Sequence, residues 1–379
     1  MRTVWVQAQA GTDFLKPPEI RRLRQAALDA LQGASIGDAR VAVQTAFDVE
    51  VFEAKLDEEV QKLNADVFGH HGDVAQVGDG KPWNYEAPTM ERDRDLHIRF
   101  RPAGVRELVK SMKRRSLPHQ DDVKALLKQA SALLQSQPSL VRLQVSAGQT
   151  LHVVGDLHGQ YWDLLHIFQM CGDPSPTNLY LFNGDLVDRG SFSVEVTLAI
   201  LAWKLAHPAC VHVNRGNHES FRMNLIFGFQ EEVQRKYDGQ VFAFFRETFD
   251  MLPAATLVND SVFVAHGGLS ERTMYLSDVA SLERGCDPEY ADDVLRDLLW
   301  SDPMEQRGIA DSHRGCGKLF GPDVTKQFCE RNGLSCIIRS HEMKQAGFEW
   351  AHDRRCLTVF SASNYCGICG NDAAVCDIS

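Results

Sequence analysis

No run of about eighteen apolar residues occurs anywhere in this 379-residue chain, which argues against a membrane-spanning helix. Nor is Met1-Arg2-Thr3-Val4-Trp5 followed by a long apolar core and a cleavage site, so a secretory leader is not expected. Cysteine is missing from the whole N-terminal part: all 10 lie from Cys171 onward, at irregular spacings. Without a leader, that distribution reads as free thiols in a reducing compartment, the cytosol or nucleus. Positive charge is short as well. The 40 Lys and Arg against 51 Asp and Glu leave a net charge of -11, unlike a generic nucleic-acid binder but compatible with a local basic pocket. No internal repeat of fixed period is visible. What remains, 44% hydrophobic and 24% charged residues, is the composition of a soluble globular protein. The length suits one large domain with an appendage, or two ordinary domains.

The chain changes texture along its length. Ile20, Leu23, Ala27 and Leu31 form a helical stripe between Pro18 and Gly33, and Val43, Phe47, Val51 and Ala54 form a second. Gly, Pro, Asp and His then dominate from Gly69 to Asp95, which reads as a linker. The expected division is therefore a helical N-terminal appendage over 1–68, a linker over 69–101 and a catalytic domain over 102–379. Val105, Leu108, Val109 and Met112 predict one amphipathic helix, and Val123, Leu126, Leu127, Ala130 and Leu134 another. Four short apolar strands follow, at 151–154, 179–182, 211–213 and 261–264, with helices at 193–206 and 220–236. Each strand ends in a cluster of polar residues and glycine, an α/β plan with its site at the strands' carboxyl ends.

Those clusters are Gly155-Asp156-Leu157-His158-Gly159-Gln160, Gly184-Asp185-Leu186-Val187-Asp188-Arg189-Gly190, Arg215-Gly216-Asn217-His218-Glu219 and His266-Gly267-Gly268. Each combines metal-ligand residue types with glycines that allow close approach. A binuclear hydrolytic site needs hard anionic ligands and imidazoles from several strand ends, and one carboxylate that can bridge two ions. Asp156 and His158 can face one ion, Asp185 can bridge, and Asn217 and His266 can serve the second. His341, after the apolar run Cys336-Ile337-Ile338, supplies a further imidazole. Two ions held about 4 Å apart make a bridging water nucleophilic near neutral pH. Arg189 and Arg314 are candidates for the guanidinium fork on phosphoryl oxygens. A serine or threonine alkoxide leaves poorly without a proton, which His218 could deliver while Asp188 orients it.

With Leu299-Trp300-Ser301-Asp302-Pro303, Arg314-Gly315, Arg339-Ser340-His341-Glu342 and Ser361-Ala362-Ser363-Asn364-Tyr365, these blocks resemble the catalytic domain of the PPP family of protein serine/threonine phosphatases, from about Pro102 to the end. The resemblance implies the calcineurin-like metallophosphoesterase fold, an α/β arrangement with a central β-sandwich flanked by helices. It implies ligation by Asp156, His158 and Asp185 at one metal ion and by Asp185, Asn217, His266 and His341 at the other. It also implies phosphate contacts from Arg189, Asn217, Arg314 and Tyr365, and catalysis by His218 and Asp188 with the two arginines. The implied reaction is hydrolysis of phosphoserine and phosphothreonine in proteins. The implied cofactors are two divalent or trivalent ions, Mn, Fe or Zn. Asn183-Gly184-Asp185, Met223-Asn224-Leu225, Gly228-Phe229 and the Phe360–Tyr365 block look most like the EF-hand-bearing branch, with the TPR-bearing branch next. The chain has no Asp-x-Asp-x-Asp-Gly loop, TPR period or clear IQ-type site, which argues against calcium control. It stops at Ser379, soon after the last motif, where relatives usually continue, so a fragment is one expectation. Residues 1–101 are expected to recruit a regulatory protein or to dock elsewhere.

Other readings compete. A small-molecule metallophosphoesterase acting on dinucleoside polyphosphates shares the early blocks, but not Arg314-Gly315, the 299–303 block or the Asn364-Tyr365 loop. A catalytically dead docking protein would be expected to lack Asp185 or His218, and both are present. His152, His166, His207, His212 and His352 are expected to be packed or solvated, and His313 to lie on the rim. Arg106, Lys110, Lys113, Arg114 and Arg115 read as the solvated face of a packed helix rather than a calmodulin or membrane site. His70-His71 is too sparse for a metal site. Cys366-Gly367-Ile368-Cys369 reads first as a loop after Tyr365, and second as a redox pair or zinc site.

Overall fold

A computed structural model describes residues 2–6, 91–92, 100–273, 275–288 and 292–379 of the chain. These belong to one compact unit, Met1–Ala8 with Tyr85–Ser379. The expected appendage helices, His70-His71 and most of the expected linker lie outside the described residues.

Two sheets form a sandwich. The first runs β1 (Arg2–Val6), β16 (Ala373–Ile378), β5 (Thr150–Val154), β6 (Asn178–Phe182) and β7 (Val211–Val213). Strands β5, β6 and β7 are parallel, whereas β16 is antiparallel to β5. The second runs β14 (Phe348–Ala351), β15 (Cys356–Val359), β13 (Cys336–Arg339), β9 (Val262–Ala265), β8 (Ala255–Val258) and β4 (Leu140–Leu143). Within it β9, β13 and β15 are parallel. A short pair, β2 (Glu91–Arg92) with β3 (Ser116–Leu117), and a small sheet of β10 (Asp302–Pro303), β12 (Lys318–Phe320) and β11 (Ile309–Asp311) lie outside the sandwich sheets.

Side-chain alternation explains the layers. Leu151 and Val153 of β5, Leu179 and Leu181 of β6, and Val262 and Val264 of β9 join one core between the sheets. Their neighbours Val154, Tyr180 and Phe182 instead face a helical layer of α1 (Pro102–Lys113), α2 (Gln120–Gln135), α3 (Tyr161–Cys171) and α4 (Ser193–Ala206). This layer also holds α6 (Phe229–Lys236) and α7 (Gly239–Asp250), which follow the short α5 (Phe221–Phe227). Phe263 and Ala265 face α8 (Leu276–Ala280), α9 (Asp293–Trp300) and α10 (Pro322–Asn332) on the other side. Strands covered on both faces read as continuous apolar runs, which is why the sequence shows blocks rather than alternation. Helix α4 is buried along almost its whole length, from Ser193 to Lys204, as a helix apolar all round should be.

Two features differ from the sequence expectations. The predicted helix over 220–236 is two helices, because Gly228 adopts φ 103, a left-handed conformation that ends α5 and restarts the chain as α6. And Arg2–Val6, expected within a helical appendage, pairs antiparallel with β16 in a register running from Arg2 opposite Asp377 to Val6 opposite Ala373. Its Thr, Val and Trp content suits a strand.

Gly155 joins β5 to the first motif beneath β15. A Cβ there would sit 2.1 Å from the Val359 carbonyl oxygen, a backbone atom that cannot step aside. Gly155→Ala is therefore expected to cost about 1–3 kcal/mol, as overpacking does. Urea unfolding should show a lower midpoint at unchanged slope, and an unchanged midpoint would contradict the close approach.

Candidate metal centre

Every ligand candidate follows the carboxyl end of a strand. Asp156 and His158 follow β5, Asp185 follows β6, Asn217 follows β7, His266 follows β9 and His341 follows β13. The carboxyl ends of both sheets thus converge on one buried cluster, in which Asp156, His158, Asp185, Asn217, His266 and His341 are each at most 8% exposed. The turns are strained. His158, Asp185, Asp188, Arg189 and His341 all have φ between 42° and 71°. Non-glycine residues held there cost of order 1–3 kcal/mol each and concentrate at functional sites.

Asp185 sits at the centre. Its carboxylate belongs to a His158–Asp185–His218 cluster and to an Asp185–His266–His341 cluster, each with potential ligand atoms within 4.8 Å of one another. Oδ2 of Asp185 lies 3.5 Å from His158 Nε2 and 3.3 Å from His266 Nε2. Asp156 Oδ2 approaches His158 Nε2 at 3.7 Å, and Asp156 Oδ1 accepts the His341 backbone N–H at 3.0 Å. The imidazoles are aimed by their other nitrogen. His158 Nδ1–H donates to the Val187 carbonyl at 2.9 Å and His266 Nδ1–H to the Asn183 carbonyl at 2.8 Å, which turns both Nε2 atoms inward.

The donor set fits cations. The Asn217 side-chain oxygen lies 2.8 Å from His266 Nε2, 2.9 Å from His341 Nδ1 and 3.2 Å from both Asp185 carboxylate oxygens; turned over, the amide would donate its NH2 to the same atoms, so the oxygen belongs there only if a cation lies among them. Oxygen and nitrogen lone pairs facing one another across such distances suit a cation among them. Charge says the same. Burial, with Asp185 beside it, pushes the Asp156 carboxyl up, while for Asp185 the surrounding histidines outweigh burial and hold its carboxyl well below the usual range. Burial works against charge on His266, yet Asp185 and Asp156 push it up to about 9, so positive charge is favoured beside the carboxylates, carried by a proton on Nε2 or by an ion in its place. Burial and His218 together push His158 down to about 3, so its carboxylate contacts are those of a neutral ligand rather than an ion pair.

Outside the cluster lie the groups suited to substrate. His218 Nδ1–H donates to Asp188 Oδ2 at 2.8 Å, and the ring stands edge-on to His158 with centroids 4.7 Å apart. The Arg189 guanidinium lies 3.6 Å from the centre of the Phe227 ring. Arg314 Nε donates to Asp302 Oδ2 at 2.6 Å, while Asp302 Oδ1 accepts from Arg339 Nη2 at 2.7 Å, so a fully buried arginine anchors the exposed one. Tyr365 lies 5.1 Å from the His158 ring, on a loop held by Asp163, which accepts from the Ser363 N–H at 3.0 Å and hydroxyl at 2.8 Å.

A calcineurin-like phosphoesterase family model matches residues 150–345, slightly more than half of the chain and the span that carries every proposed metal ligand. The chain belongs to the calcineurin-like phosphoesterase family. The chain is 47% identical over 253 residues to serine/threonine-protein phosphatase T of Schizosaccharomyces pombe, covering 66% of this chain and 54% of the relative. It is 45% identical over 291 residues to human serine/threonine-protein phosphatase 5, covering 76% and 57%. The chain thus spans a little over half the length of these curated relatives. Among solved structures, a Saccharomyces cerevisiae protein serine/threonine phosphatase with similarity to human phosphatase PP5 matches with a TM-score of 0.68. It is 39% identical, covering 70% of this chain and 86% of that one. The family's β-sandwich flanked by helices is the architecture described above.

The sequence alone assigns no task to several residues that shape this site. Glu219, fully buried, accepts the backbone N–H groups of Asp185, Leu186 and Gly216, each at 2.8 Å, and so ties the second motif to the third. Asn183 Nδ2 donates to the Ala265 carbonyl and to Ser340 Oγ, both at 2.9 Å, joining the two sheets behind the ligands. Asp302 and Phe227 hold the two arginines. Glu219, Asn183 and Asp302 had a signal, their places inside the quoted motif blocks, whereas Phe227 had none. The histidines read as packed behave so: His152 bonds Asp377 and Asn178, and His352 bonds Thr325 and the Met304 carbonyl. His313 is exposed beside Arg314.

Proposed function

We propose that the chain hydrolyses phosphoserine and phosphothreonine monoesters in proteins. The observation that carries this reading is Asp185 shared between two clusters of ligand-type atoms, one of which includes His218, itself hydrogen-bonded to Asp188. Asp156, His158 and Asp185 would hold one ion, and Asp185, Asn217, His266 and His341 the other. Divalent or trivalent ions there would supply Lewis acidity that makes water a nucleophile near neutral pH and offsets phosphoryl charge.

The chain's own groups do the rest. Arg189, braced by Phe227, and Arg314, braced by Asp302, present guanidinium N–H donors to phosphoryl oxygens. Asn217 and Tyr365 complete the phosphate contacts. His218, its charged form favoured by Asp185 and Asp188 against burial, keeps its Nδ1–H on Asp188 and delivers the second proton, on Nε2, to the leaving oxygen. The relatives named phosphatase T and phosphatase 5, at 47% and 45% identity, support a protein substrate. Residues 1–101 we assign to recruitment of a regulatory protein. Among the described residues, no helix is long and apolar enough to cross a membrane.

The test is phosphate release from a phosphothreonine peptide by chelated and then manganese-restored protein, with a dinucleoside polyphosphate run in parallel. Metal-restored release from the peptide alone is expected. Hydrolysis of the nucleotide alone would transfer the site to small-molecule substrates, and no hydrolysis of either with two ions bound would sink the reading.

A further inference from the structure

Asn224 stands on α5, completely buried, and its side chain hydrogen-bonds Asp188 and the His218 backbone rather than any of the six proposed ligands. Its Nδ2 donates twice, to Asp188 Oδ2 at 3.1 Å and to the backbone carbonyl of His218 at 2.7 Å. The amide orientation is fixed, because turning it over would set its oxygen against two acceptors. Its Oδ1 is buried with no hydrogen-bond partner. A buried unsatisfied carbonyl costs about 1–3 kcal/mol, so an asparagine here is a poor choice for stability alone.

Asp188 explains the arrangement. Its Oδ2 accepts from both His218 Nδ1–H, at 2.8 Å, and Asn224, and its Oδ1 accepts the Phe229 N–H at 3.0 Å. Phe229 is in place only because Gly228 breaks the helix. The carboxylate is thus gripped from three sides, with Asn224 also holding the backbone of the histidine that the carboxylate must aim. We propose that Asn224 is a positioning residue for proton delivery: it locks Asp188 and the His218 backbone in one geometry, so that His218 Nε2 faces the leaving oxygen. This rests on the phosphomonoesterase reading above.

The consequence is a dependence on leaving group. A threonine alkoxide needs the proton, whereas p-nitrophenolate leaves without it. Asn224→Leu, similar in size but without donors, is expected to lower kcat on a phosphothreonine peptide by about 10- to 100-fold, the scale on which residues that orient a functional group act. On p-nitrophenyl phosphate kcat should fall by less than about 3-fold, since the acid contributes little there. The ratio of the two rates in one sample is independent of the folded fraction, so a variant that folds poorly still decides the matter, and Asn224→Ser replaces it if the leucine variant is insoluble.

A second readout needs no turnover. In metal-depleted protein with 15N-labelled histidine, at a pH high enough to make the ring neutral, His218 should keep its remaining proton on Nδ1 in the wild type and should show mixed tautomers in Asn224→Leu. Equal losses on both substrates, or an unchanged His218 tautomer in the variant, would overturn the proposal. Failure of the wild type on the phosphopeptide would sink the phosphatase reading instead, and the tautomer measurement would still decide the positioning role.

Discussion

His218→Asn is expected to lower kcat on a phosphothreonine peptide by about 10²- to 10⁴-fold, the range over which a positioned general acid contributes, with metal content unchanged. The structure offers a rival role that this result separates. His218 falls in one ligand-type cluster with His158 and Asp185, so geometry alone would permit it to bind an ion. Its Nδ1–H is committed to Asp188 and its backbone N–H donates to Asp185 Oδ1 at 2.9 Å, which leaves Nε2 either to bind an ion or to hold the proton for the leaving group. Substitution removes the imidazole and leaves that backbone bond in place, so the orientation of Asp185 persists. Asparagine keeps a polar side chain against Asp188 and limits the damage to packing. Metal analysis beside steady-state kinetics gives the answer. Loss of one ion with activity would make His218 a ligand, and full activity would remove it from catalysis.

How far the site could be read without coordinates follows from where its information lies. The ligand candidates could be picked out because each motif packs its polar residues within a few positions of a strand end, and the parallel strands then bring those ends together. Asp156 and His158 are two residues apart on one turn, and no distant contact is needed to see that they face one way. The strands at 151–154, 179–182 and 211–213 were legible for the same local reason, apolar runs stopped by glycine-rich turns. What escaped depends on long-range approach. Glu219 reaches the Asp185 backbone from 34 positions along the chain, and Asn224 reaches Asp188 from 36. Neither spacing has a periodicity to betray it. The break at Gly228 was hidden because helical patterning continues on both sides, and only the left-handed φ of that glycine shows that the chain turns to offer the Phe229 N–H to Asp188. The pairing of Arg2–Val6 with β16 joins opposite ends of the chain, and nothing local signals it.

Asp185→Asn should be more damaging than His218→Asn, because it withdraws a ligand from both clusters at once. Asparagine is nearly isosteric and tolerates the φ of 49° found here, and the residue's backbone N–H keeps Glu219 as its acceptor. The local fold is therefore expected to persist. What disappears is one negative charge and one of the two oxygens that face the imidazoles, in a site whose affinity depends on anionic ligands. Lewis-acid stabilisation is worth several kcal/mol, so at 1.36 kcal/mol per factor of ten the loss of ions should cost about 10³-fold or more in kcat. Unfolding reports the same event without turnover. Manganese at 100 times its dissociation constant should stabilise the wild type by about 2.7 kcal/mol per site, and the variant by much less. A variant that keeps two ions and the full manganese-dependent stabilisation would show that Asp185 does not bridge, and the two clusters would then have to be treated as separate sites.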